Sequence, residues 1–223
     1  MAHPLDRPIW TALTTRQAHL ALGDASARCF DPAISPMAAT AENNPESLRA
    51  LGELIPAGGD ITLLEPNPPS PPEGVRAEIA GLCVQLIARA FAPRASDLPI
   101  EPLGDADAEE MLALALLTRP GPFRARTHKM GRYIGIRENG RLAAMCGERL
   151  AAPGFVEISA LCTHPDFRGR GYGAALLQAV GARILQDGDA PFLHAYADNP
   201  AVAMYRALGF EVRHELTHAI WRR

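Results

Sequence analysis

The chain has 223 residues, a formal net charge of -3, and 48% hydrophobic and 21% charged side chains. That length supports one large domain or two small ones, each with a buried core, and the charge supplies no basic field for nucleic acid. No apolar run approaches the ~20 residues of a membrane span, so neither nucleic acid nor a bilayer is expected as a partner. The start, Met1-Ala2-His3-Pro4, lacks the apolar core of a signal peptide. Cys29, Cys83, Cys146 and Cys162 show no metal-binding spacing. They read as buried reduced thiols, which implies a cytoplasmic location and no metal site.

Along the chain, Thr14 to Leu22 suggests a short helix stopped by Gly23. Asn44-Pro45-Glu46 starts a second helix, with proline as its first helical residue and Leu48, Leu51 and Leu54 following. Ile61 to Leu64 reads as a strand, and Pro66 to Pro72 is a stiff extended stretch. Glu78 to Phe91 suits either a strand or a buried helix. No catalytic constellation appears in residues 1–96.

From residue 97 the elements sharpen. Leu98 to Leu103 suggests a strand, followed by a helix capped by Asp105 or Asp107 that carries Met111, Leu112, Ala115 and Leu116 on one stripe. Arg132 to Arg137 and Leu142 to Arg149 form a hairpin around Asn139-Gly140, whose residues tolerate positive φ. Pro153-Gly154 turns the chain again, and Phe155 to Thr163 is the third strand of a meander. A helix from Tyr172 to Gln186, a strand from Phe192 to Tyr196, a short helix from Ala201 to Leu208 and a final strand over Val212 to Trp221 complete an α/β pattern with a mixed sheet.

Arg168-Gly169-Arg170-Gly171-Tyr172-Gly173-Ala174 falls between the third meander strand and the next helix. Small residues let successive amides converge, the helix start adds partial positive charge, and two guanidiniums add full charge. This is a pyrophosphate cradle. The same residues fit a dinucleotide G-x-G-x-x-A pattern, but Thr163 to Arg168 separates them from the strand end, and too few βα units follow. A Walker loop is excluded because no Gly-Lys-Ser/Thr occurs.

Arg168-x-x-Gly171-x-Gly173 followed by Ala-Ala-Leu-Leu resembles the acetyl-CoA signature of the GNAT N-acyltransferase superfamily. Tyr205-Arg206-Ala207-Leu208-Gly209-Phe210 resembles that superfamily's second block. The Pro-Gly-Pro-Phe, Glu-Ile-Ser and Thr-His-Pro details resemble its FR47-like branch. The resemblance implies a mixed, mostly antiparallel twisted sheet flanked by helices over residues 97–223. It also implies a smaller N-terminal α/β half, a degenerate relative of the same fold, over residues 1–96.

Roles follow from the resemblance. The strand end Leu161, Cys162 and Thr163 would hold the pantetheine arm. The amides of Arg168, Gly169, Arg170, Gly171, Tyr172, Gly173 and Ala174 would hold the pyrophosphate. Tyr205 would protonate the departing thiolate. Asn199 or Asp198 would take the family asparagine position, with Asn199 preferred for the cofactor contact. Glu157 is the candidate general base, acting directly or through water, with its face expected to carry Ser159, Leu161 and Thr163 opposite Val156, Ile158, Ala160 and Cys162. The segment Pro120 to His128 would border the acceptor, with Phe123, Arg124 and Arg126 as its binding residues; the two arginines would receive a carboxylate or stand as solvated surface charges. The expected activity is transfer of an acetyl group from acetyl-CoA to a primary amine of a small molecule or peptide, by a monomer or homodimer. The alternative is a CoA-binding module without chemistry.

Overall fold

A computed structural model describes residues 3–223. Its elements in chain order are α1 (Pro8–Thr14), β1 (Ala21–Gly23), β2 (Ala27–Phe30), β3 (Ala38–Thr40), α2 (Pro45–Glu53), β4 (Asp60–Glu65), β5 (Arg76–Ala88), β6 (Ile100–Leu103), α3 (Ala108–Thr118), β7 (Tyr133–Glu138), β8 (Arg141–Ala152), β9 (Phe155–Thr163), α4 (Tyr172–Gln186), β10 (Ala190–Tyr196), α5 (Ala201–Ala207) and β11 (Phe210–Arg222).

The first helix lies earlier than Thr14 to Leu22. Pro8 opens α1, and Ile9, Ala12 and Leu13 bury the i, i+3, i+4 stripe that the later segment lacks. Past Thr14 the chain is held differently, because the buried Gln17 side chain donates to the carbonyls of Met130 (3.0 Å) and Arg149 (2.6 Å). Of the segment 78–91, residues 78–88 belong to strand β5, and β2 and β3 are short strands without a clear sequence signal. At α2 the expected start at Pro45 holds, and Asn44 caps it: its Oδ1 accepts from the Ser47 amide at 2.9 Å. In α3 the core stripe is Met111, Leu114 and Ala115, while Leu116 points outward.

An eight-stranded mixed sheet, ordered β4-β11-β5-β10-β9-β8-β7-β6, dominates the molecule, and a small β1-β2-β3 sheet stands beside it. Among the described strands of the large sheet, only β9 and β10 pair in parallel; its other ladders are antiparallel. The expected boundary at residues 96 and 97 falls between β5 and β6, and strands from both sides share this sheet. Indeed β5 lies between β10 and β11 and pairs with both. One face packs α4 and α5 around Leu176, Leu177, Val180, Leu193 and Phe210. The other face packs α1, α2 and the small sheet over β4, β5 and β11, and α3 over β7 to β9.

Two bulges shape the β8–β9 pair. Met145 pairs Cys162 and Gly147 pairs Ser159, so β9 carries one extra residue, and Ala160 there has φ 52. Glu148 pairs Ile158 and Ala151 pairs Val156, so β8 carries one extra residue at Arg149–Leu150. A bulge re-aims the side chains that follow it. The single alternation expected along β9 is therefore broken. Val156 and Ile158 join the α4 side, whereas Ala160 and Cys162 pack with α3 on the other side.

Candidate active site

β9 and β10 stay paired only from Phe155–Ala190 to Glu157–Phe192 and then separate. The opening leaves a cavity of about 440 Å³ whose lining brings together Leu161, Cys162, Thr163, Arg168, Asn199 and Tyr205. Six residues predicted to serve the donor substrate thus share one cleft. Cys162 itself is a packed thiol, pushed up to about 11 by burial, which leaves too little thiolate for nucleophilic chemistry.

Beyond Thr163, His164 Nδ1 accepts from the Asp166 amide and sets a short helical turn over Pro165–Phe167. The chain then enters the glycine turn. Gly169 (φ 78) and Gly171 (φ 79) take left-handed conformations with no atom within 4 Å of where a Cβ would stand. Gly171 is the residue before α4. The Arg168 amide reaches the Pro165 carbonyl and the Ala175 amide reaches the Gly171 carbonyl. The amides of Tyr172, Gly173 and Ala174 lie at the first turn of a 15-residue helix, where intrahelical partners are lacking, and those of Gly169, Arg170 and Gly171 lie in the turn just before it. The turn therefore fits a bound pyrophosphate in amide supply, in dipole and in open space. Arg170 stacks over the Phe167 ring at 5.2 Å, and the Tyr172 hydroxyl is bound by Glu138 rather than aimed at the cleft.

Tyr205 is buried on α5, and burial pushes its phenol up to about 12. It stays protonated near neutral pH and keeps a proton to donate. Asn199, and not Asp198, lines the cavity; its Oδ1 accepts from the Ala201 amide at 2.9 Å and so also starts α5.

Glu157 departs from its expected role. Its carboxylate is fully buried, receives Arg149 Nε (2.9 Å) and Nη2 (2.6 Å), the Leu150 amide (3.2 Å) and His194 Nδ1 (2.7 Å), and does not line the cavity. Burial alone would raise its pKa, but the Arg149 guanidinium and the His194 ring hold it far below the usual carboxylate range. A carboxylate so satisfied is a structural counter-ion, poorly suited to take a proton. The β8 bulge places Arg149 against it. A sequence signal existed, since the two residues flank the Pro153-Gly154 turn as a cross-strand pair of opposite charge.

The titratable groups that do face the cavity include His218, Tyr196 and Arg149, none of which stands out in the sequence. His218 Nδ1 lies 2.8 Å from the Tyr196 hydroxyl, and its Nε2 has no partner among the described residues. Burial first, and the Arg149 charge second, lower its pKa and keep the ring neutral. His194 also borders the cavity, but its Nε2 meets Gln85 Nε2 at 3.1 Å, so both ring nitrogens are occupied. The expected acceptor residues lie elsewhere. Phe123 packs edge-on against Tyr133 at 5.9 Å, Arg124 pairs with Asp60 at 2.5 Å, and Arg126 pairs with Asp31 at 3.5 Å. The segment of that loop lining the cavity is Pro120-Gly121-Pro122, just before them.

The FR47-like protein family model matches residues 133–221. Over 100% of this chain and 99% of its own, a structure of the GNAT acetyltransferase family from Novosphingobium aromaticivorans DSM 12444 superposes with a TM-score of 0.93 at 40% identity. The chain belongs to the GNAT family. A GCN5-related N-acetyltransferase from Kribbella flavida shares the fold, with a TM-score of 0.69 at 17% identity over 98% of this chain and 96% of that one. Among curated proteins, the mycothiol acetyltransferase of Corynebacterium aurimucosum is 41% identical over 71 residues, and that of Acidimicrobium ferrooxidans 31% over 97. Those matches cover 31% and 40% of this chain, but only 23% and 31% of the two proteins, so the chain spans less than a third of either.

Proposed function

We propose that the protein transfers an acetyl group from acetyl-CoA to a primary amine by direct attack on the thioester. The observation that carries this reading is the shared cleft: the pantetheine-side strand end, Arg168 of the glycine turn and the free phenol of Tyr205 line one cavity. The amides and positive dipole of the turn would hold the pyrophosphate, and the free edge of β9 beyond Glu157 would pair with the pantetheine arm.

In the chemical step the amine nitrogen forms a bond to the thioester carbonyl carbon, and the carbon–sulfur bond breaks. The thiolate takes the Tyr205 proton, and the amine loses one proton. His218 is the group placed to receive that proton: it is neutral, and with Nδ1–H donated to the Tyr196 oxygen its Nε2 lone pair is free. Glu157 then acts at one remove, fixing Arg149 and His194 in the wall. The curated relatives named as mycothiol acetyltransferases support the acetyl group as cargo.

The test is CoA release with acetyl-CoA and a panel of primary amines. Turnover that falls in Tyr205→Phe supports the reading. Tight acetyl-CoA binding with no turnover on any amine, in wild type and variant alike, would leave a binding module instead.

A further inference from the structure

The charge around the cavity is lopsided. Its lining includes Arg119, Arg149 and Arg168, and no aspartate or glutamate among the described residues. Arg168 belongs to the glycine turn and Arg119 sits exposed at the end of α3. Arg149 is different, because it is buried at 8% exposure. Glu157 grips its Nε and Nη2 from within the sheet. Nη1 has no partner among the described residues, and it stands 3.7 Å from where a Cβ on Gly121 would be. A buried guanidinium ordinarily fills its donors. Here one end is filled and the other faces the cleft.

The neighbours on that side offer no competing anion. His218 and Tyr196 present a neutral imidazole and phenol, and the Cys83 thiol is pushed up to about 11 by burial. We propose that Arg149 Nη1 receives a carboxylate on the acceptor, which is therefore an amine carrying one carboxylate group. This rests on the acetyl-transfer reading. With Glu157 already balancing most of the Arg149 charge, a monoanion suits the site better than a dianion, whose second charge would be left without a partner in a largely apolar cleft. A polyamine is disfavoured for the opposite reason: its second ammonium would enter beside a guanidinium with no carboxylate to meet it.

The probe is a set of product-like acids and their neutral amides, N-acetylglycine and N-acetylphenylalanine against N-acetylglycinamide and N-acetylphenylalaninamide. Binding to the full chain is measured by calorimetry in the presence of CoA. At least one acid is expected to bind about tenfold or more tighter than its amide, the contribution of a charge-assisted hydrogen bond pair. That ratio should fall to about one in Arg149→Lys, which keeps a cation for Glu157 but loses the second fork. The double variant Arg149→Gln/Glu157→Gln, which leaves no buried charge unpaired, should give the same result. Equal binding of acids and amides, or no binding of either up to millimolar concentration, overturns the proposal, and the wild-type ratio decides this even if a variant fails to fold. An acid preference that survives in a folded Arg149→Lys protein overturns it too. A preference for acids in a protein that neither binds acetyl-CoA nor releases CoA would instead remove the acetyl-transfer reading while leaving the carboxylate site in place.

Discussion

The two sides of the cleft are built in different ways. The side proposed to hold the donor is mostly one continuous piece of chain, Leu161 to Thr163 at the end of β9 and the turn from Arg168 into α4, joined by Asn199 and Tyr205. Its chemistry is mostly backbone amides and conformation, which glycine positions encode directly. The side proposed to hold the acceptor is assembled from side chains on separate strands: Cys83 on β5, Arg149 on β8, Tyr196 on β10 and His218 on β11. Their meeting depends on β5 lying between β10 and β11, a long-range pairing. Backbone sites are written locally, whereas side-chain sites are written in the topology.

The largest expected effect tests whether Glu157 belongs to chemistry or to architecture. Glu157→Ala leaves the buried Arg149 without its counter-ion, and breaking such a pair costs about 3–5 kcal/mol. Chemical denaturation should show that loss. If Glu157 were the proton acceptor as well, the molecules that remain folded would also lose turnover. The pH dependence carries the same sign. The folded carboxyl sits far below its ordinary value of 4.5, so the unfolded chain binds the proton first. The pair's stabilisation is full above about pH 4.5 and is lost as pH falls below it.

Tyr205→Phe is the next largest effect and probes the donor side. Removing a positioned general acid lowers kcat about 10²-fold or more. Because the phenol has no hydrogen-bond partner among the described residues, thermal stability and the acetyl-CoA dissociation constant should stay near wild type. A variant with wild-type kcat would assign the residue to packing beneath Leu208 and Phe210.

How far the sequence could be read follows the same division. The α4 range, the Asn139-Gly140 hairpin (φ 52 and 79) and the meander were legible because local patterns set them. The glycine turn was legible because nothing but backbone is needed there. The facing of Glu157 was not, since the bulge at Ala160 breaks the period-two rule in the middle of β9. Arg149 was hidden in the matching bulge on β8. Arg124 and Arg126 looked free on paper, but Asp60 and Asp31, distant in sequence, pair with them.

A smaller effect is expected at the turn. Gly171 has φ 79 with open space around it, so Gly171→Ala meets no steric block and carries only the left-handed backbone cost of about 1–2 kcal/mol. Acetyl-CoA affinity should weaken by roughly 5- to 30-fold if the turn relaxes to relieve that strain. Calorimetry against Gly154→Ala, where φ is 77 on a remote hairpin, separates the two causes. The remote variant should lose stability and keep its affinity.

The smallest effect is a displacement along the pH axis. His218 is held neutral first by burial and second by Arg149, with Tyr196 as its Nδ1 partner, so its pKa lies below the ordinary 6.5. As a proton acceptor it must be unprotonated, so the acid limb of kcat/KM should lie below pH 6.5 rather than at it. Stability shares the direction: the unfolded chain takes the proton first, and the ring's contribution declines as pH falls below about 6.5. The two are separated in His218→Gln, which should abolish the acid limb and lower kcat across the range while the protein remains folded. A carboxylate bound at Arg149 would partly screen the guanidinium from His218 and move the acid limb of kcat, which reports the substrate complex, upward. A limb that shifts with a carboxylated acceptor, but not with a neutral amine, would couple the two groups on the acceptor side directly.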